Sequence, residues 1–231
     1  MNWYDPTDNI GVQPSVWLET SDPYDVHPAT VQLSGGTTNF FVNMYQASTQ
    51  TISAKTQAVN YDNYTSLTPG ATTVIVAPAT ANKLQLLMPG EAAKPGKGPY
   101  DSNPTTGGKD LPPTVLVAGD TVYATINCVD RYFNRATGCN PTVNVEFSGF
   151  GTDENDDTGI FANKTLSGGT NSFAVRFLAT GWQGGGSMGS SRTVTAEDTG
   201  NTACGGAKCL QDRRNPAVKP GSSKKLQVVV R

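Results

Sequence analysis

The stretch Leu33-Ser34-Gly35-Gly36-Thr37, with Phe40 and Val42 after it, returns as Leu166-Ser167-Gly168-Gly169-Thr170, with Phe173 and Val175 after it. An internal repeat constrains architecture before any single residue does, because two copies of one pattern imply two copies of one supersecondary unit. The match runs past the motif on both sides. Upstream, Pro14-Ser15-Val16-Trp17-Leu18-Glu19 parallels Pro141-Thr142-Val143-Asn144-Val145-Glu146. Downstream, Thr51-Ile52-Ser53-Ala54 parallels Thr193-Val194-Thr195-Ala196, and Pro69-Gly70 before Val74-Ile75-Val76 parallels Pro220-Gly221 before Val228-Val229-Val230. The spacing between copies grows from 127 residues (Pro14 to Pro141) to 133 (Leu33 to Leu166), 142 (Thr51 to Thr193) and 151 (Pro69 to Pro220). The second copy therefore carries longer loops between the same strands, which is how repeats of one fold diverge.

The runs between these landmarks alternate. Val122, Ala124, Ile126 and Cys128 face one way, and Tyr123, Thr125 and Asn127 the other, as in a strand with one face in the core and one in water. Val143, Val145 and Phe147 repeat the pattern, as do Phe173, Val175 and Phe177, and in the first copy Val16 and Leu18, then Phe40, Val42 and Met44, then Ile52 and Ala54. Turn formers separate the runs, and 25 glycines and 15 prolines supply many of them. Short strands at this spacing, without a sustained helical period, predict an all-β chain of β-sandwiches. The paired glycines of Leu-Ser-Gly-Gly-Thr are expected at positive φ in a tight reversal. Residues 77–83 link the copies, so the expected domains are 1–80 and 81–231. From Pro89 to Pro113 a segment rich in Gly, Pro and Lys reads as a long surface loop and a candidate contact surface.

Charged residues make up 16% of the chain and the formal net charge is −2, so no basic field exists to hold nucleic acid. No run approaches the ~18 apolar residues of a membrane span. The opening Met1-Asn2-Trp3-Tyr4-Asp5-Pro6 does not read as a signal peptide. All four cysteines lie in the second copy: Cys128, Cys139, Cys204 and Cys209. Local pairing joins 128 to 139 and 204 to 209, with two other connectivities open. Disulfides imply an oxidising compartment and hence export. The rival is zinc. Its spacing suits Cys204 and Cys209 but not Cys128 and Cys139, and no histidine lies in this copy.

Leu84-Gln85-Leu86-Leu87-Met88-Pro89-Gly90-Glu91, Pro95-Gly96, Val117-Ala118-Gly119-Asp120, Val129-Asp130 and Leu166-Ser167-Gly168-Gly169 follow one another in an order that resembles bacterial immunoglobulin-like repeats. Such repeats stand in tandem in large secreted or surface proteins, including invasin- and intimin-type adhesins. The resemblance covers the second copy and most of the first. It implies tandem immunoglobulin-like β-sandwiches in a structural or adhesive protein at the cell surface or in a filament. The implied partners are neighbouring repeats or subunits, surface glycans or host proteins. It carries over no catalytic residue.

Aligned on the repeat with a one-residue gap, Asn2-Trp3-Tyr4 meets Asp130-Arg131-Tyr132, so the first copy lacks a counterpart to Leu84–Val129 and is expected to lack its N-terminal strands. That would expose Val16 and Phe40 and leave sheet edges open. An upstream part of a longer protein, or a strand donated by another subunit, would complete it.

Chemistry is sparse. His27 is the only histidine, with Asp22 and Asp25 nearby but no serine or cysteine marked as a nucleophile, and Gly184-Gly185-Gly186 lacks the Lys and helix of a phosphate loop. Glu146 and its counterpart Glu19 alternate with apolar residues, which puts them on a solvated face rather than in a glycosidase pair. The expectation is that the chain is not an enzyme. In Asp153-Glu154-Asn155-Asp156-Asp157-Thr158-Gly159, the oxygens of Asp153, Asn155, Asp156 and Asp157 form a candidate Ca²⁺ site, although the spacing is not that of an EF-hand; no other cofactor is expected. Trp3, Tyr4, Tyr61, Tyr64 and Trp182 could stack on sugars, which makes a carbohydrate-binding module the alternative reading.

Overall fold

A computed structural model describes residues 15–27, 29–56, 69–100, 106–148, 163–177, 193–200 and 203–222. The chain divides into two compact units, Met1–Ala77 and Pro78–Arg231. Among the described residues all regular structure is β, and no helix is long and apolar enough to cross a membrane. Unit 1 holds β1 (Ser15–Thr20), β2 (Val31–Gln32), β3 (Thr49–Thr56) and β4 (Gly70–Ile75) in one antiparallel sheet, ordered β2-β1-β3-β4. Unit 2 begins with β5 (Lys83–Leu87), β6 (Ala92–Ala93), β7 (Lys109–Asp110), β8 (Leu116–Val117) and β9 (Thr121–Val129). It continues with β10 (Thr142–Ser148), β11 (Lys164–Thr165), β12 (Thr170–Arg176), β13 (Thr193–Asp198), β14 (Asp212–Arg214) and β15 (Val218–Lys219). Its main sheets are β11-β10-β13-β14 and β12-β9-β5, both antiparallel; β6 pairs with β7, and β15 runs parallel to β8.

The two four-stranded sheets share one register. Ser15 faces Gln32 as Thr142 faces Thr165, Leu18 faces Ala54 as Val145 faces Ala196, and Glu19 faces Ser53 as Glu146 faces Thr195. These pairs obey the first three offsets of the sequence repeat. The fourth offset is corrected. Ala54 faces Gly70 in unit 1, and Ala196 faces Asp212 in unit 2, so β14 occupies the place of β4. Pro220-Gly221 instead follows β15, and Val228–Val230 lie outside the described residues. A Pro-Gly pair marks only a turn, whereas register is set by what stands opposite. The repeated turns behave as expected. Ser34 bridges Thr37 and Ser167 bridges Thr170, with φ of +58° and +79° at Gly35 and Gly36 and +58° and +75° at Gly168 and Gly169. Positive φ at both central residues is the two-residue hairpin turn whose twist suits flanking strands.

Both main sheets of unit 2 contribute to one core. Leu84 and Leu86, Ala124 and Ile126, and Phe173 and Val175 come from the three-stranded sheet; Val143 and Val145, and Val194 and Ala196, come from the four-stranded one. The inward set of β9 is the alternating set read from sequence, and Tyr123 opposite it is 66% exposed. Further along, the expected wet face is dry: Asn127 is 7% exposed and Gln85 fully buried. The segment read as a surface loop covers this end. Gly108 donates its N–H to the Lys97 carbonyl and accepts Gln85 Nε2 at 2.7 Å, Gly96 N–H donates to Tyr132, and Gly107 and Gly108 pack on the Phe133 ring. Lys83 Nζ lies 3.8 Å from the centre of that ring, a cation–π contact in a buried setting.

Strand β5 is an edge, and its exposed backbone groups are closed from the side. Leu84 N–H donates to the Leu210 carbonyl, Leu86 N–H donates to Asp212 Oδ2 at 2.6 Å, and Lys109 Nζ donates to the Leu86 carbonyl at 2.7 Å. The same ammonium pairs with Asp212 at 3.0 Å, and both side chains are buried. A side-chain ion pair thus substitutes for a neighbouring strand and keeps the edge from pairing with another chain.

In unit 1 the run containing Phe40, Val42 and Met44 is not a strand. Among the described residues its one bridge joins Val26 and Asn43, and Phe41 is 87% exposed. Its counterpart β12 pairs with β9, and among the described residues unit 1 has no equivalent of β9 or β5; without a ladder partner the alternation cannot become a strand. Val16 and Leu18 are nevertheless buried, and Phe40 is half-buried.

Gly168→Asn is expected to leave stability almost unchanged, because its Cβ would meet open space and Asn accepts the left-handed region. Gly169→Ala is expected to destabilise unit 2 by roughly 2 kcal/mol, since the added Cβ strains the backbone and meets the Ala136 carbonyl. Urea denaturation of the two variants measures the difference.

Candidate functional site

The four cysteines of unit 2 converge. Cys128 ends the inward row of β9, and Asp130 turns the chain just after it. One Asp130 oxygen accepts the N–H groups of Tyr132 (2.8 Å) and Asn134 (2.9 Å); the other accepts Asn134 Nδ2 (3.0 Å) and the Ala79 N–H (2.9 Å). This fold-back lets Ala136 N–H reach the Cys128 carbonyl and sets Cys139 beside Cys128. The second pair sits on a small hairpin in which Cys204 and Ala207 exchange backbone hydrogen bonds across Gly205-Gly206, both at positive φ. Asp198, at the end of β13, accepts the Cys209 N–H at 3.0 Å and the Gly200 N–H at 2.8 Å.

Cys128 is bonded to Cys139 and Cys204 to Cys209, with Cα separations of 6.0 and 4.9 Å, within the usual disulfide range. This is the local pairing favoured from sequence. Spacing along the chain carries no sign that the two bridges touch. Cys128 Sγ and Cys204 Sγ are 3.9 Å apart, and all four sulfurs lie within 4.8 Å of one another in the buried core. The Cys139 sulfur also lies 3.5 Å from the Ala203 carbonyl oxygen.

The other candidates are not brought together. Asp153, Asn155, Asp156 and Asp157 lie outside the described residues, as do Trp3, Tyr4, Tyr61, Tyr64, Trp182 and Gly184–Gly186. Asp22, in the matching region of unit 1, is buried and organises the chain: one oxygen takes the Tyr24 N–H, the other the N–H groups of Tyr45 and Gln46 at 2.6 and 2.8 Å. His27 Nδ1 lies 2.6 Å from Asp25, while Ser21 donates to Gln50. Glu146 is exposed and accepts from Asn144. Glu19 is exposed beside Lys55 and Trp17; the hydrogen bond from Lys55, then that from Trp17, holds its carboxyl below the usual range. On β1 and β10 the two glutamates hold one register position on a solvated face.

Asp130 and Asp198 are not among the site residues expected from sequence. Their signal was present: an aspartate followed two residues later by an N–H it can accept, at the end of an alternating run. Comparison with family models, with curated proteins and with solved structures finds no match.

Asp130→Ala would remove the acceptor of four donors, of which the two on Asn134 are buried, so a loss of about 3 kcal/mol is expected in urea denaturation. Cys128→Ser with Cys139→Ser should cost about 3 kcal/mol, and Cys204→Ser with Cys209→Ser about 2, following the sizes of the loops closed.

Proposed function

We propose that the chain is a structural and adhesive segment of a large exported protein, built of tandem immunoglobulin-like β-sandwiches whose nearest partners are neighbouring repeats. The observation that carries this reading is the shared register of the two four-stranded sheets. One strand arrangement used twice in series suits a protein whose work is to span distance and present loops. Two buried disulfides support the export half of the reading, because such bonds persist in oxidising compartments. The closed edge of β5 supports a module that stays separate from like modules while it stands beside them.

The test has two parts. The chain is produced once in a bacterial cytosol and once behind an export signal, and the exported form is expected to contain no titratable thiol. Beads coated with that form are then presented, under flow, to surfaces carrying glycans and to surfaces carrying extracellular proteins. Retention on either surface is the expected result. An exported chain that keeps free thiols, or coated beads that wash away like uncoated ones, would overturn the reading. Glycan retention abolished by Trp182→Ala would favour a carbohydrate-binding module instead.

A further inference from the structure

We infer that the four sulfurs of unit 2, in their thiol state, form a zinc site: Cys128, Cys139, Cys204 and Cys209 would hold one Zn²⁺ as a closed tetrathiolate. The inference goes beyond the structural and adhesive reading and does not depend on export. Zinc–thiolate bonds of about 2.3 Å in a tetrahedron place the sulfurs roughly 3.8 Å apart. The two bridges already meet at that spacing, 3.9 Å from Cys128 to Cys204, and no sulfur is more than 4.8 Å from any other. Opening each bridge from bonding distance to that edge length asks each sulfur to move by roughly 1 Å.

The cluster has its geometry without its covalent bonds. Cys128 belongs to β9, which is paired on both sides, and Asp130 folds the following loop so that Cys139 returns. On the other side, the Cys204–Ala207 exchange and the Asp198 contact with Cys209 N–H fix the hairpin. None of these interactions uses sulfur. Reduction therefore leaves four thiols facing one point, and a preformed set of ligands is what metal binding otherwise has to create. Soft thiolates in a closed tetrahedral set select Zn²⁺ over Ca²⁺ or Mg²⁺. The burial of all four residues also excludes the water that a catalytic zinc would keep, so the site would be structural.

The balance is simple. Each disulfide takes two electrons and two protons to become two thiols. With a phosphine as reductant, the phosphine is oxidised to its oxide and the oxygen comes from water. Zn²⁺ then replaces all four thiol protons, which pass to the buffer, leaving a complex of net charge −2. One of those protons belongs to the Cys139 thiol, whose sulfur sits within hydrogen-bond reach of the Ala203 carbonyl.

The experiment uses the full chain. It is reduced with a phosphine under anaerobic conditions, shown by thiol titration to carry four free thiols, mixed with Zn²⁺ and desalted. One zinc per reduced chain is expected, and Co²⁺ in its place should show the visible bands and thiolate charge transfer of a tetrahedral four-sulfur site. The variant pairs C128S/C139S and C204S/C209S should each weaken zinc retention by more than the 10–100-fold that loss of a supporting partner costs. If the reduced chain loses its β signal in circular dichroism, added Zn²⁺ is expected to restore it. A reduced chain that retains no zinc and regains no structure with it overturns the inference. So does wild-type affinity in either variant pair, or equal binding by the oxidised chain, which would put the metal elsewhere.

Discussion

Among the described residues, four buried aspartates hold the chain in shape. Asp22, Asp130, Asp198 and Asp212 are each almost or wholly out of contact with solvent, and each accepts backbone N–H groups. A carboxylate taken out of water costs several kcal/mol unless its oxygens are satisfied, so these side chains are stable only where the backbone turns its donors inward. The constraint acts in both directions. The charge requires the donors, and the donors, at chain reversals and at a strand edge, need an acceptor once they are turned inward. Asp212 also has the Lys109 ammonium beside it, which neutralises the charge inside the protein.

The cysteine cluster depends on this arrangement. Asp130 follows β9 of one sheet and Asp198 ends β13 of the other, and each positions one pair of cysteines through backbone contacts. Two bridges that each look local in sequence meet because β9 and the segment after β13 line the same core. The covering segment between β6 and β7 works from the other face of the β12-β9-β5 sheet. There, two lysines anchor the exposed side: Asp110 pairs with Lys97 and Lys94, and those hydrogen bonds, that from Lys97 first, hold its carboxyl below the ordinary range. The contribution of this pairing is therefore present above the normal carboxylate pKa and fades only as pH falls through the lowered one.

What could be read from sequence was what depends on neighbours in the chain. The paired glycines and the inward row of β9 follow from spacing and turn chemistry, and spacing favours the Cys128–Cys139 and Cys204–Cys209 connections over two others. The three correct offsets placed partners in register because the strands they mark pair with one another. The fourth offset failed because Pro-Gly carries no information about what lies opposite. The run at Phe40 had the right alternation and no ladder partner. The dry face at Asn127 and Gln85 arose from a distant segment rich in Gly and Pro, whose composition says loop and is silent about where the loop lies. The convergence of four sulfurs was hidden for the same reason, since sequence spacing describes each pair and not the distance between pairs.

The shared register has a consequence for how such a chain reaches its native state. Strands that present the same partners in two units can exchange them during folding, so that a strand of one copy docks on the sheet of the other. Noncovalent errors of this kind can dissolve again. A bridge formed across them would make them permanent. All four cysteines lie in one copy, and both bridges close within it. Oxidation can therefore lock unit 2 to itself, but within a single chain it has no means to lock one copy to the other.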